Sequence, residues 1–209
     1  MTQAEASAAL AALQQNPLLG TLPRSHLLRL SEGCSIQDHA FGDYIVRQGE
    51  PADALYLLVS GRARALRSDA NGRELALGRL LPGESFGESA LVEDGVRQAS
   101  VRASTSTQTL RLPRSYVVEL AQQWPEFAQS LGELDKRRTL QAFLNAHSEF
   151  QRLAPGTLQR LLDLLEPVEQ AAGTLIVRQG DPPGAMYILQ TGKARAYRMD
   201  GATLEQLAY

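Results

Sequence analysis

Cysteine is almost missing from this chain of 209 residues: Cys34 stands alone. An intrachain disulfide framework and a zinc site built on several thiolates are both excluded, and Cys34 reads as a small buried hydrophobe in a reducing compartment. Histidine is nearly as sparse. His26, His39 and His147 are scattered and read as surface or packing residues, with no metal-ligand spacing around them. Charge of neither sign dominates, with 21 Lys and Arg against 23 Asp and Glu and a net charge of −2. The footprint of a nucleic-acid binder or a polybasic membrane-surface protein is therefore lacking, and neither partner is expected. No apolar run approaches the ~20 residues that cross a bilayer, and the N-terminus has no basic segment of a signal peptide. A P-loop and a G-x-S-x-G elbow are also missing, so no catalytic residue, metal or cofactor is assigned. These absences leave a soluble, non-enzymatic, cytoplasmic chain, or the cytosolic part of a membrane protein. Its length suits one or two domains at ~150 residues each.

What is present is a repeat. The segment GDYIVRQGEPADALYLLVSGRARALR at 42–67 recurs as GTLIVRQGDPPGAMYILQTGKARAYR at 173–198, with 15 of 26 aligned positions identical and no insertion. The same offset of 131 residues carries Leu19 to Phe150, Leu22 to Leu153, Leu27 to Leu158 and Leu30 to Leu161, so the unit begins with an apolar helical stripe. Three parts are expected: an N-terminal helical segment at 1–17, a first domain with C-terminal helices at 18–147, and the start of a second copy at 148–209.

Within the first copy, the apolar run at 54–59, the Ser60-Gly61 turn and arginines alternating with small residues after it read as a hairpin of half-buried strands. Asn71-Gly72 predicts a type I′ turn into a further strand at 74–80. Short strands between Gly-containing turns at intervals of ~10 residues point to an antiparallel β jelly roll with flanking helices, mainly β, and not to a parallel α/β sheet. Pro113 opens a helix, Trp124-Pro125 breaks it, and helical spacing resumes from Glu126 to His147. Lys136, Arg137 and Arg138, followed by Thr139, read as a solvated face of that second helix, with a phosphorylation or anion site as the alternative.

Residues 82–104, PGESFGESALVEDGVRQASVRAS, hold the chemistry. Gly83 and Gly87 allow close backbone approach, and residues 88–92 suit one helical turn whose free N–H groups face an anion. Arg97 follows nine residues after Glu88, across an acidic turn that folds the chain back. A guanidinium beside exposed amides suits a phosphate, and a carboxylate suits sugar hydroxyls.

The stretch Phe86-Gly87-Glu88-Ser89-Ala90-Leu91, five residues, then Arg97-Gln98-Ala99-Ser100-Val101, resembles the phosphate-binding cassette of cyclic-nucleotide-binding domains, a family that includes cAMP receptors and kinase regulatory subunits. Residues 45–61, IVRQGEPADALYLLVSG, are similar to the family's other signature. The resemblance covers the first copy and the start of the second, where Pro183 stands in place of the small Ala52. It implies a double-stranded β-helix roll that binds cAMP or cGMP. It further implies that Glu88 takes the ribose 2′-hydroxyl and Arg97 the cyclic phosphate, with Gly87, Ser89, Ala90, Ala99 and Ser100 completing the polar lining. Ser89 departs from the apolar residue common after the Glu, and Gln98 replaces the small residue that helps set base preference, which leaves both nucleotides open as ligand.

Glu88 and Arg97 moved by the repeat offset fall past residue 209, so the second copy has no cassette here, and the chain is expected to be a fragment of a longer protein. The expected function is a regulatory module in which ligand binding repacks the helices at 113–147 and so controls an effector, with a kinase, an esterase or an exporter as examples. Two alternatives stand beside it. One is a scaffold of the same fold whose Glu88 and Arg97 pair with each other across an empty cassette. The other is a transcription regulator of the cAMP-receptor type, against which residues 150–165 match a second helical entry where a helix-turn-helix would sit.

Overall fold

The computed structural model describes residues 3–69, 71–88, 91, 95–146, 150, 152–200 and 203–207. The chain divides into two compact units, residues 1–153 and 154–209.

The first unit opens with two helices, α1 (Gln3–Gln15) and α2 (Arg24–Gly33). Their apolar faces, Ala9 and Leu13 on α1 and Leu27 and Leu30 on α2, are buried in one cluster with Leu18, Leu19 and Leu22 from the connection. Asn16 fixes that connection: its Oδ1 accepts from the amides of Leu18 and Leu19, and its Nδ2 donates to the Gly83 carbonyl. A polar side chain only 2% exposed is tolerated because its hydrogen bonds are made.

Eight strands follow: β1 (Ser35–His39), β2 (Tyr44–Val46), β3 (Ala54–Ser60), β4 (Ala63–Ser68), β5 (Glu74–Leu80), β6 (Ser85–Phe86), β7 (Ser100–Ala103) and β8 (Thr107–Pro113). They pair antiparallel throughout, in two four-stranded sheets ordered β1-β8-β3-β6 and β2-β7-β4-β5. The expected antiparallel roll with flanking helices is the fold observed. Strand β3 is the hinge of the packing because its alternate residues serve different clusters: Leu55 and Leu57 join the helical core, while Ala54, Tyr56 and Leu58 join the interior of the roll with Ile45, Val46, Ala63, Leu80, Phe86 and Val101. A strand buried on both faces explains why its sequence is continuously apolar and does not alternate.

The β4–β5 turn differs from the expectation. Among the described residues none but glycine has a positive φ, so Asn71 does not take the left-handed state that a type I′ turn needs. Asp69 Oδ1 instead accepts from the amides of Asn71 and Arg73, and the Asp69 amide donates to the Arg73 carbonyl. With this side-chain turn Gly72 takes φ +77°, and the loop closes between Asp69 and Arg73, one residue longer than the expected turn.

After β8, Pro113 precedes α3 (Arg114–Gln123), the chain breaks at Trp124, and α4 (Pro125–Ala146) begins at Pro125. Helix α4 returns across the roll, where Asn145 Nδ2 donates to the Leu77 carbonyl on β5. His147 lies outside the described residues.

The second unit contains α5 (Pro155–Leu164) and a hairpin of β9 (Tyr197–Asp200) and β10 (Thr203–Gln206). No strand is described at 165–196, the stretch whose first-copy counterparts form β1, β2 and β3. Turns nevertheless recur at the repeat offset: Gly42, Gly49 and Gly61 and their counterparts Gly173, Gly180 and Gly192 all have φ between +83° and +92°. No helix among the described residues is long and apolar enough to cross a membrane.

Candidate functional site

The loop between β6 and β7 presents the cassette. Phe86, buried in the roll and stacked on Tyr56 with ring centroids 5.3 Å apart, anchors its start. Gly87 follows with φ +90°, and a Cβ there would collide with the Arg97 guanidinium. Glu88 is 2% exposed, and its carbonyl accepts from the Leu91 amide at 2.8 Å. Ser89 and Ala90 lie outside the described residues, as do Val92, Glu93 and Asp94. The return strand is tied to the 49–52 loop: the Arg97 amide donates to the Glu50 carbonyl, the Gly49 amide to the Arg97 carbonyl, and the Ala52 amide to the Gly95 carbonyl.

Arg97 is 3% exposed and its guanidinium is fixed on three sides. Nη1 donates to the Gly87 carbonyl at 3.2 Å, and Nη2 donates to the Ala54 carbonyl at 2.8 Å and to Asp53 Oδ1 at 3.1 Å. The Tyr56 ring lies 5.5 Å below it. Asp53 also accepts from Arg111 Nη2 at 2.6 Å. Partial burial pulls the Asp53 carboxyl upward, but the Arg111 hydrogen bond and charge, a backbone hydrogen bond and the Arg97 charge outweigh it and hold its pKa below the usual value. The result is a cation pinned against the cassette backbone, the arrangement in which a planar fork gives most to an anion.

Glu88 and Arg97 do not pair with each other. Glu88 Oε2 accepts from Arg138 Nη1 on α4 at 2.7 Å, and Arg138 Nη2 donates to the Ser85 carbonyl. The empty-cassette pairing weighed from the sequence is therefore not the arrangement observed. Arg138 is also not the solvated residue expected: its side chain is 26% exposed and holds the buried Glu88 carboxylate. Sequence reading missed both Arg138 and Asp53. Arg138 was hidden in a run of three cations, where spacing alone does not choose the one facing inward, and Asp53 passed as one residue of the longer 45–61 signature.

The other cassette positions are placed as follows. Gln98 is exposed and Ala99 half-buried. Ser100 lies on β7 next to inward-facing Val101, and its Oγ accepts from the Gln48 amide at 2.9 Å. Among the described residues no cluster of three or more His, Cys, Asp or Glu side chains could hold a metal ion.

Against this geometry stand the comparisons with known proteins. Residues 38–123 match the cyclic nucleotide-binding domain. That stretch runs from β1 to the end of α3 and contains the whole cassette; the matched domain is a regulatory module, not a catalytic one. The two sheets with flanking helices are the β-roll of its structural relatives. The crystal structure of the Thermus thermophilus catabolite activator protein is similar with a TM-score of 0.54 and 34% identity, covering 63% of this chain and 62% of that one. The cyclic AMP receptor protein of Thermus thermophilus is 36% identical over 134 residues, 62% of either chain. The cGMP-dependent protein kinase egl-4 of Caenorhabditis elegans is 27% identical over 194 residues, which are 92% of this chain and 23% of the kinase. The chain thus spans about a quarter of the kinase it matches.

Proposed function

We propose that the roll at 35–123 binds a cyclic nucleotide, with Arg97 holding the cyclic phosphate and Glu88 the ribose 2′-hydroxyl, and that α4 reports occupancy through Arg138. The observation that carries this reading is the pair of buried, oppositely charged side chains on one loop, each held by a different partner. Arg97 already has its orientation fixed by Asp53, so a phosphate meets a guanidinium that loses little freedom on binding. Glu88 has one carboxylate to offer, and Arg138 and a sugar hydroxyl compete for it or share it. Binding thereby acts on α4 through a single side chain, and it shifts the helix only by its differential affinity for two arrangements. The names of the relatives include both cAMP and cGMP, and the exposed Gln98 favours neither.

Residues 148–209 are proposed as the start of a second copy of the same domain. The recurring glycines support this, as does a match to the cGMP-dependent kinase that extends over 92% of the chain, well past the first domain. An effector of the kinase class fits that match.

Calorimetric titration of the chain with cAMP and then cGMP tests the site. Arg97→Ala removes charge-assisted hydrogen bonds worth ~1.5–3 kcal/mol each and is expected to weaken binding roughly 10- to 150-fold. Equal binding by the wild type and a folded Arg97→Ala variant would refute the assignment.

A further inference from the structure

On the outer face of the β2-β7-β4-β5 sheet, three arginines stand in one cross-strand row. Arg64 on β4 is directly opposite Arg79 on β5 and, on its other side, directly opposite Arg102 on β7. Arg102 is in turn opposite Tyr44 on β2. The neighbouring pairs in register, Ala63 with Leu80 and with Ala103, are buried in the roll, so the arginine row faces the other way, and Arg64 and Arg79 are exposed. Like charges directly opposed across strands destabilise a sheet. Among the described residues the guanidiniums of Arg64 and Arg79 have no hydrogen-bond or ion-pair partner to offset this. Arg102 donates to the Gly42 carbonyl and lies 5.4 Å from the Tyr44 ring, whose centroid Arg47 approaches to 4.0 Å.

We propose that this row is a docking surface for an acidic protein segment, separate from the cyclic-nucleotide site and independent of it. Strands are ~4.8 Å apart, so the three side chains leave the sheet at that spacing. Carboxylates at i, i+4 and i+7 on a helix are neighbours at ~5–6 Å and match the row. Next to the row, Phe41 is 74% exposed, one residue before the Gly42 that holds Arg102, which supplies an aromatic anchor beside arginines in the manner of a protein interface. A short acidic segment is favoured over an extended polyanion because the row is only three cations long, spanning about 10 Å at the strand spacing, and offers a nucleic acid or a bilayer few contacts.

The test uses the full chain and a labelled helical peptide with Glu at i, i+4 and i+7 beside a leucine, its Gln counterpart, vesicles of phosphatidylserine and phosphatidylcholine, and a DNA duplex. The Glu peptide is expected to bind, to weaken roughly tenfold or more in the Arg64→Glu/Arg79→Glu variant, and to lose affinity with salt, while the Gln peptide does not bind. Arg64→Glu alone is expected to raise Tm by relieving the like-charge row, which separates lost docking from lost folding. Cyclic-nucleotide affinity should be unchanged in both variants. Equal peptide binding by the wild type and the double variant, no peptide binding at millimolar concentration, or arginine-dependent binding that is tighter for vesicles or DNA would each overturn the proposal.

Discussion

Arg138→Ala is the sharpest test of how the cassette is held. The substitution removes the two hydrogen bonds that Arg138 makes to Glu88 and to the Ser85 carbonyl, and strands a carboxylate that is 2% exposed. Breaking a fully buried ion pair by deleting one partner costs about 3–5 kcal/mol. The Arg138 side chain is 26% exposed, so water already screens part of the interaction, and the expected loss is about 2–3 kcal/mol, the scale of hydrogen bonds to charged groups. For a protein of this size each kcal/mol moves Tm by about 2–4 °C, so circular dichroism should record a fall of about 5–10 °C in the first roll. The cause is isolated by adding Glu88→Gln. A neutral amide is far cheaper to leave with incomplete hydrogen bonding than a carboxylate, so the double variant should recover more than half of the loss. Hydrogen exchange adds a local readout, since α4 amides near Arg138 should lose protection before those of α3. A Tm within about 1 °C of the wild type for Arg138→Ala, or a double variant no better than the single one, would refute the claim that Arg138 holds a buried charge.

Two further outcomes follow from the titratable groups. The Asp53 pKa is depressed in the folded state, so its contribution is present above the unfolded carboxylate value and is lost as pH falls through the folded one; acid titration of the wild type should show a loss of stability below the normal carboxylate range that Asp53→Asn lacks, and identical acid limbs would contradict this. Burial raises the Cys34 thiol to about 11, and its Sγ donates to the Ser31 carbonyl, so at pH 8 a thiol-exchange reagent should modify unfolded chain and leave folded chain intact; prompt labelling of folded protein would place Cys34 elsewhere.

The roll was legible in the sequence where one strand or one turn carries its own signal. The apolar run of β3, the glycine after it and the proline that opens α3 each act within a few residues, and the structure places a strand, a left-handed glycine and a helix there. Glu88 and Arg97 were legible because a loop motif keeps its spacing. Their partners were not, because Asp53 reaches Arg97 over 44 positions and Arg138 reaches Glu88 over 50. Such pairings are decided by packing of elements that sequence spacing does not relate, and a cation on a helix looks the same whether it faces water or a buried carboxylate.

The repeat separates those two kinds of information within one chain. Matching residues in the second copy reproduce several hydrogen bonds of the first. The Glu50 amide donates to the Arg47 carbonyl and the Asp181 amide to the Arg178 carbonyl, while Gln48 exchanges two hydrogen bonds with the backbone of Ser68 and Gln179 does the same with Met199. The β4–β5 hairpin has a counterpart in β9 and β10, but no strand is described at the counterparts of β1, β2 and β3. In the first copy β3 is paired on both sides, by β8 and β6, and Val46, Leu55 and Leu58 are buried; their counterparts Val177, Met186 and Leu189 are 64%, 68% and 53% exposed. Turn geometry at these positions is set by a glycine acting on its own neighbours, whereas Gln48 and Gln179 each reach a backbone 20 positions away. A strand needs, beyond its own sequence motif, partner backbone and a covered face.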